Sequence, residues 1–315
     1  MSVWRVLITS PQLQHTIEAH RQRLIDHEID AELPPVVQQL SEEELIALLP
    51  GVDGIIVGDD PLTRAVLQHA DQLKVISKWG VGVDNIDLAA AEEVGIRVTN
   101  TPGMFGDEVA DVVIGYLILL ARHLHYVDRG VRDGQWPKPE GVSLAGRTIG
   151  IVGLGQIGQA VAKRALATGM EVIGTDVSSE SAAVAQRSGV KIVDLPELFR
   201  HADVVSLNCP LTAQNHHMVN ESTLATMKPG TWIVNTARGG LIDEDALVSA
   251  LESGQVGAAA LDVFEIEPLP ASSHLRRIPQ VILGSHNASN TADAVHRTSV
   301  RAIDNLIAGL EGGAE

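Results

Sequence analysis

The sequence predicts an α/β protein built on parallel sheets. Short β-rich runs alternate with helical stretches along the whole of its 315 residues, the rhythm of strand–helix–strand units. Several runs are apolar on consecutive residues, such as Val204-Val205 and Ile233-Val234, as expected of strands covered by helices on both faces. Many runs end at a Gly or Asp turn that leads straight into a helix, as at Gly153-Leu154-Gly155-Gln156. At roughly 150 residues per domain the length suggests two domains.

Taken in order, the strand candidates are 3–9, 54–57, 73–78, 97–99, 148–152, 171–175, 204–207, 231–235, 257–261 and 281–283. Helix starts are visible between them. Ser41-Glu42-Glu43-Glu44 reads as a capping box, and Asp60-Pro61 as a cap followed by a proline at the first helical position. A turn cluster, Thr99-Asn100-Thr101-Pro102-Gly103, separates the first set of elements from a long helix over 107–123. A second loop rich in Pro and Gly, 132–141, precedes the strand at 148. The last helix, about 289–310, has no strand to pair with in the second half and is expected to return to the first. The expected division is therefore 1–99 plus 287–315, against 100–286.

Composition narrows the function. With 40 acidic and 23 basic residues the formal charge is −17, and no Lys/Arg run exceeds two, which argues against nucleic acid as a partner. The most apolar stretch, 112–121, is half the ~20 residues a membrane span needs, so no membrane partner is expected. The first residues read as a strand rather than a signal peptide. A single cysteine, Cys209, precludes an intrachain disulfide, and a cytoplasmic location is expected.

The segment Ile149-Gly150-Ile151-Val152-Gly153-Leu154-Gly155-Gln156-Ile157-Gly158 runs from a strand through glycines into a helix. Gly153 permits the tight turn, Gly155 lets backbone approach a pyrophosphate, and Gly158 allows close helix–strand packing. The N–H groups of the helix start, from Gln156 and Ile157 on, suit phosphates. A second strand ends at Asp176, 18 residues past Gly158, where a carboxylate can accept from both adenosine ribose hydroxyls and repel a 2′-phosphate. The cofactor expected is NAD.

Three further strand ends carry unusual side chains: Asn235-Thr236-Ala237-Arg238-Gly239-Gly240, Asp262-Val263-Phe264-Glu265-Ile266-Glu267-Pro268, and Gly284-Ser285-His286-Asn287-Ala288. Ligands bind at the carboxyl ends of parallel strands, so three such ends can serve one site. Together with Gly80-Val81-Gly82-Val83-Asp84-Asn85-Ile86-Asp87, Asn100-Thr101-Pro102-Gly103 and Ile242-Asp243-Glu244-Asp245-Ala246-Leu247, they resemble the D-2-hydroxyacid dehydrogenase family, especially its phosphoglycerate dehydrogenase-like branch. The motifs span about 78–291 in the family's order.

The resemblance implies two Rossmann-like, doubly wound parallel-sheet domains with the active site in the cleft between them. It implies that Arg238 grips the substrate's carboxylate and carbonyl oxygen, a task for a planar fork of fixed charge. His286 would exchange a proton with the carbonyl oxygen as hydride moves, and Glu267 would hold the other ring nitrogen. Glu265 lies nearer its strand and competes for that place; the family match favours Glu267. Lys78, Trp79, Gly80, Val81 and Gly82 match the substrate loop, where the N–H groups of Val81 and Gly82 would hold the carboxylate. Asp262 resembles the position that contacts the nicotinamide carboxamide, while Cys209, Thr236 and Ala237 resemble cofactor-lining positions. The family also dimerises through its cofactor domain, and the apolar helix over 109–121 and Trp136 fit that expectation.

The chain departs from its relatives at several points. Ser285 stands where a proline often precedes the histidine, and Gly58 where phosphoglycerate dehydrogenases carry an arginine. Asp59 and Asp60 follow Gly58 and would repel a substrate phosphate, whereas Lys78 matches a second basic position. Either 3-phosphoglycerate or a glyoxylate- or hydroxypyruvate-type substrate is open. Adjacent His216 and His217 resemble no metal spacing, and no metal is expected. The alternative is a non-catalytic, dimeric NAD(H)-sensing regulator on the same fold; retention of Arg238, Glu267 and His286 favours the enzyme.

Overall fold

The structure, a computed structural model, describes residues 3–312; the first two and last three residues, which the expected first domain includes, lie outside them. The chain divides into two compact units, one running to Met104 and resuming at Asn290, the other spanning Phe105–Ser289.

In the first unit, β1 (Trp4–Ile8), β2 (Ile29–Glu32), β3 (Gly54–Val57), β4 (Val75–Lys78) and β5 (Arg97–Thr99) form a parallel sheet in the order β2-β1-β3-β4-β5. Leu7, Ile55, Val57 and Ile76 share one core with Leu45, Leu62 and Val66. Helix Ala292–Leu310 packs on β3 and β4, burying Ala302, Ile303, Leu306 and Ile307. Each Leu or Ile buried this way contributes about 1.5–3 kcal/mol. Two polar contacts set its register: Ser77 Oγ donates to the Ala302 carbonyl at 2.7 Å, and Trp79 Nε1 to Ser299 Oγ at 3.0 Å.

The helix at Ser41 has the expected capping box, with Ser41 Oγ accepting from Glu44 N and Glu44 from Ser41 N. Asp60-Pro61 is a correction. The helix there is Arg64–Leu67 and its cap is Thr63. Asp60 is fully buried, accepting from Thr9 Oγ1 at 2.6 Å, Leu40 N at 2.7 Å and Gly58 N at 3.1 Å. A carboxylate that can satisfy three buried donors is worth more to the fold there than as a cap.

In the second unit, β6 (Thr148–Val152), β7 (Glu171–Thr175), β8 (Lys191–Ile192), β9 (Val204–Leu207), β10 (Thr231–Asn235), β11 (Val256–Leu261) and β12 (Val281–Leu283) form a parallel sheet ordered β12-β11-β10-β9-β6-β7-β8. Consecutive apolar residues serve opposite faces. Val152, Val205, Ile233 and Ala259 lie in one core, while Ile151, Val204, Val234 and Ala258 lie in the other. Strand side chains alternate faces, so a sheet with helices on both sides must be apolar at every position.

Helix Gly106–Arg122 covers one face, burying Val109, Val113, Leu117 and Leu120 against helix Gln156–Ala167 and β11. It ends at His123, whose φ of 54° turns the chain 66° into helix Leu124–Arg132. Among the described residues no single helix is long and apolar enough to cross a membrane.

Two strands escaped the sequence reading, β2 and β8. Each is a sheet edge with one neighbour. β2 reads Ile-Asp-Ala-Glu and β8 has two residues, so neither shows an apolar run. Edge strands are half solvated and need no such run.

Candidate active site

The glycine turn after β6 is held by sterics. Gly153 has φ 91°, and a Cβ there would sit 2.8 Å from the Asn208 carbonyl carbon; a Cβ on Gly158 would sit 1.9 Å from the Gly153 oxygen. A Cβ on Gly155 would meet nothing within 4 Å, so space lies open over the start of helix Gln156–Ala167. That helix has Gly155 as its cap and no side-chain cap, leaving its first N–H groups for an anion. Asp176, at the end of β7, accepts from Leu154 N at 2.5 Å and Ser178 N at 2.7 Å, which ties the carboxylate to the glycine turn. Two buried polar atoms at neighbouring strand ends, Asn208 Oδ1 and Thr236 Oγ1, have no hydrogen-bond partner in the protein. Buried oxygens of this kind are satisfied by a polar ligand or water. Open backbone donors, a placed carboxylate and orphaned oxygens along β6, β7, β9 and β10 fit a dinucleotide.

Cys209 follows Asn208 and is partly buried; burial pushes its thiol up to about 11. A thiol held neutral at pH 7 is a poor nucleophile.

β10, β11 and β12 are neighbours in the sheet, so the three segments of interest leave adjacent strand ends. The Arg238 turn is braced from within: Asn235 Nδ2 donates to the Arg238 carbonyl at 2.8 Å, and Asn235 Oδ1 accepts from Ala237 N at 3.0 Å. The guanidinium is half-buried, with Nη1 donating to the Ala237 carbonyl at 2.8 Å. Gly239 presses on the next loop: a Cβ would fall 1.9 Å from the Phe264 carbonyl carbon and 2.4 Å from Glu265 N. The Arg238 turn and the Glu267 loop are therefore locked together by backbone contact.

Glu267 Oε2 lies 2.7 Å from His286 Nδ1, and Glu267 Oε1 accepts from Phe264 N at 2.9 Å. Both side chains are largely shielded, 24% exposed for His286 and 16% for Glu267. With Nδ1 committed to the carboxylate, Nε2 is the nitrogen that can trade a proton with a ligand. The residues alone left Glu265 in competition. Its carboxylate is occupied elsewhere, with His217 Nε2 on Oε1 and Glu244 N on Oε2 at 3.4 Å.

His286 has φ 54°, unusual for a residue with a side chain. Asp262 imposes it. Its carbonyl accepts from His286 N at 2.6 Å, and its Oδ2 accepts from Ala288 N at 2.8 Å. Tyr116 donates to Oδ1 at 3.2 Å, and burial beside Asp262 raises the Tyr116 hydroxyl well above its usual range. Asp262 is 2% exposed. Its carboxylate braces the histidine turn through these two contacts. Tyr116 carried no sequence signal, lying 146 positions away in an apolar helix.

His216, His217 and Glu265 bring ligand atoms within 4.8 Å of one another, a grouping that sequence spacing did not reveal. The two imidazoles stack with centroids 3.9 Å apart and planes 28° from parallel. One of those atoms, His217 Nε2, is engaged by Glu265 Oε1.

In the first unit, Gly80 has φ 144° and exchanges hydrogen bonds with Thr101: Gly80 N to Thr101 Oγ1 at 3.0 Å, Thr101 N to Gly80 O at 2.9 Å. Among the described residues the N–H groups of Val81 and Gly82 donate to nothing, and Val81 is 43% exposed. Lys78 and Trp79, which precede the loop, are buried. Lys78 is 2% exposed and paired with Asp59 at 3.0 Å, and the Trp79 indole is buried on Ser299.

The chain is similar to known proteins over most of its length. The model of the D-isomer specific 2-hydroxyacid dehydrogenase NAD binding domain matches residues 114–288. The chain is 39% identical to a hydroxypyruvate reductase from Thermotoga maritima, over 87% of this chain and 90% of that one. It is also 39% identical to a D-3-phosphoglycerate dehydrogenase from Methanocaldococcus jannaschii, over 92% of this chain but 54% of that longer protein. A crystal structure of D-lactate dehydrogenase from Aquifex aeolicus complexed with NAD and lactic acid superposes with a TM-score of 0.86. Its sequence identity is 28%, and the match covers 98% of this chain and 96% of that one.

Proposed function

The chain belongs to the D-isomer specific 2-hydroxyacid dehydrogenases, NAD-dependent oxidoreductases, and from that premise we propose how its residues act and on what. NAD(H), when bound, supplies or takes the hydride at the substrate's second carbon. The regulatory alternative falls away, because the relatives are named as dehydrogenases and reductases.

In the direction of reduction, His286 gives the proton on Nε2 to the carbonyl oxygen and Glu267 holds Nδ1–H. The hydroxy acid leaves and His286 takes a proton back from solvent. The Arg238 guanidinium grips the carboxylate and the carbonyl oxygen, so charge that builds on that oxygen meets a fixed cation. The N–H groups of Val81 and Gly82 take the carboxylate. The observation that carries the reading is the 2.7 Å contact between Glu267 and His286. Its test is NADH oxidation with glyoxylate, hydroxypyruvate, pyruvate and 3-phosphohydroxypyruvate; silence with all of them would overturn it.

We further propose a cytoplasmic homodimer formed by the second unit. Leu124, Tyr126, Val131 and Val142 are 37–49% exposed and Trp136 is 78% exposed, all within one 19-residue stretch. Clustered exposed apolar side chains mark a surface that associates.

A further inference from the structure

The carboxyl ends of β3 and β4 adjoin the loop that carries Val81 and Gly82, and their charge is lopsided. Residues 57–62 and 78–87 hold one lysine and four aspartates. The lysine, Lys78, is spent internally: Nζ donates to the Gly58 carbonyl and to Asp59 Oδ1, and the side chain is 2% exposed. Asp59 is held toward it by Gln38, whose Nε2 donates to Asp59 Oδ2 at 3.2 Å. Asp60 is fully buried, and burial raises its carboxyl, offset by donors from Thr9 and Leu40 and by the charge of Lys78. At Gly58 the nearest atoms to an added Cβ lie 3.4–3.6 Å away, in ordinary contact.

A phosphate entering here would find the one cation already neutralised and carboxylates alongside. We propose that the site selects unphosphorylated 2-keto acids, and that Asp59 enforces this by holding Lys78. The inference rests on the proposed placement of the substrate carboxylate on the loop of Val81 and Gly82. A short uncharged tail, hydrogen or hydroxymethyl, meets no penalty at these strand ends. A phosphorylated tail brings about two negative charges to strand ends whose lysine is already paired with Asp59.

The test is a matched pair, hydroxypyruvate and 3-phosphohydroxypyruvate, which differ by the phosphate alone. Wild-type kcat/KM should favour hydroxypyruvate by about tenfold or more at low salt, narrowing as salt screens the repulsion. Asp59→Asn should raise kcat/KM for the phosphorylated substrate about three- to tenfold and leave hydroxypyruvate within about twofold. Gly58→Arg, which adds a cation where a Cβ is accommodated, should raise the phosphorylated substrate further and serves if Asp59→Asn folds poorly. A wild-type enzyme that handles both substrates equally, or prefers the phosphorylated one, overturns the inference while leaving the proposed reaction standing. An Asp59→Asn enzyme that improves both substrates equally overturns the role of Asp59. A chain that oxidises NADH with no 2-keto acid at all removes the reading beneath the inference, and the inference with it.

Discussion

Gly239→Ala places one methyl group where the structure has no room. Its Cβ would lie 1.9 Å from the Phe264 carbonyl carbon, 2.0 Å from its oxygen and 2.4 Å from Glu265 N, against 3.4 Å for ordinary contact. All three are backbone atoms, so no rotamer relieves the clash. One loop has to move by about 1.5 Å, either the turn that carries Arg238 or the loop that carries Glu267. Each movement separates the guanidinium from the Glu267–His286 pair. Misplacing catalytic groups by ~1 Å can cost about 10²-fold, so kcat/KM for glyoxylate or hydroxypyruvate should fall by about that factor. Overpacking also costs ~1–3 kcal/mol, and for a unit of this size each 1 kcal/mol lowers Tm by about 2–4 °C. NADH affinity, read by fluorescence at 25 °C, should fall much less than kcat/KM, because the glycine turn and Asp176 lie on other strands and only Thr236 and Ala237 share the displaced turn. Stopped-flow NADH oxidation beside that titration separates lost chemistry from lost fold. A Gly239→Ala enzyme with wild-type kcat/KM and unchanged Tm would show that the two loops are not locked together and sink the reasoning.

His286→Gln should lose about 10²–10⁴ in kcat for keto-acid reduction with NADH binding intact; wild-type turnover in a chemistry-limited assay would remove His286 from its role. Wild-type kcat/KM should favour NADH over NADPH by about tenfold or more, ~1.4 kcal/mol. Asp176→Ala should erase most of that preference, and because Asp176 also holds Leu154 N, KM for NADH should rise with it; an unchanged cofactor ratio would count against the assignment. Cys209, with its thiol near 11, should react slowly with a disulfide reagent at pH 8, where about 0.1% is thiolate, and speed up about tenfold per pH unit until pH nears 11. A rate that levels off by pH 9 would contradict the burial assigned to it. Light scattering at micromolar concentration should give twice the mass of the 33.5 kDa chain; a monomer mass would refute the proposed dimer.

What the sequence determined by itself is what is local. Alternating β-rich and helical runs announced parallel α/β units because strand and helix periods differ over a few residues. The glycine turn and the carboxylate 18 residues later were legible because backbone sterics and the ribose hydroxyls demand those residue types at that spacing. Arg238 and His286 stood out just past strand ends, while Glu267 was favoured over Glu265 only through the resemblance to the family. Tertiary structure decided whatever depends on partners distant in the chain. The edge strands β2 and β8 exist through backbone pairing, which leaves no apolar pattern to read. Asp60 reads as a helix cap beside Pro61, yet Thr9 and Leu40, distant in the chain, join Gly58 in making it a buried brace. Asp262 gives no local sign that it also braces the His286 turn, which it does through Tyr116 and Ala288. Lys78 shows no partner in its own segment, yet the fold pairs it with Asp59. A side chain's type states which interactions it can make; which one it makes is set by the nearest partner in space, because a hydrogen bond or ion pair forms only within about 3 Å.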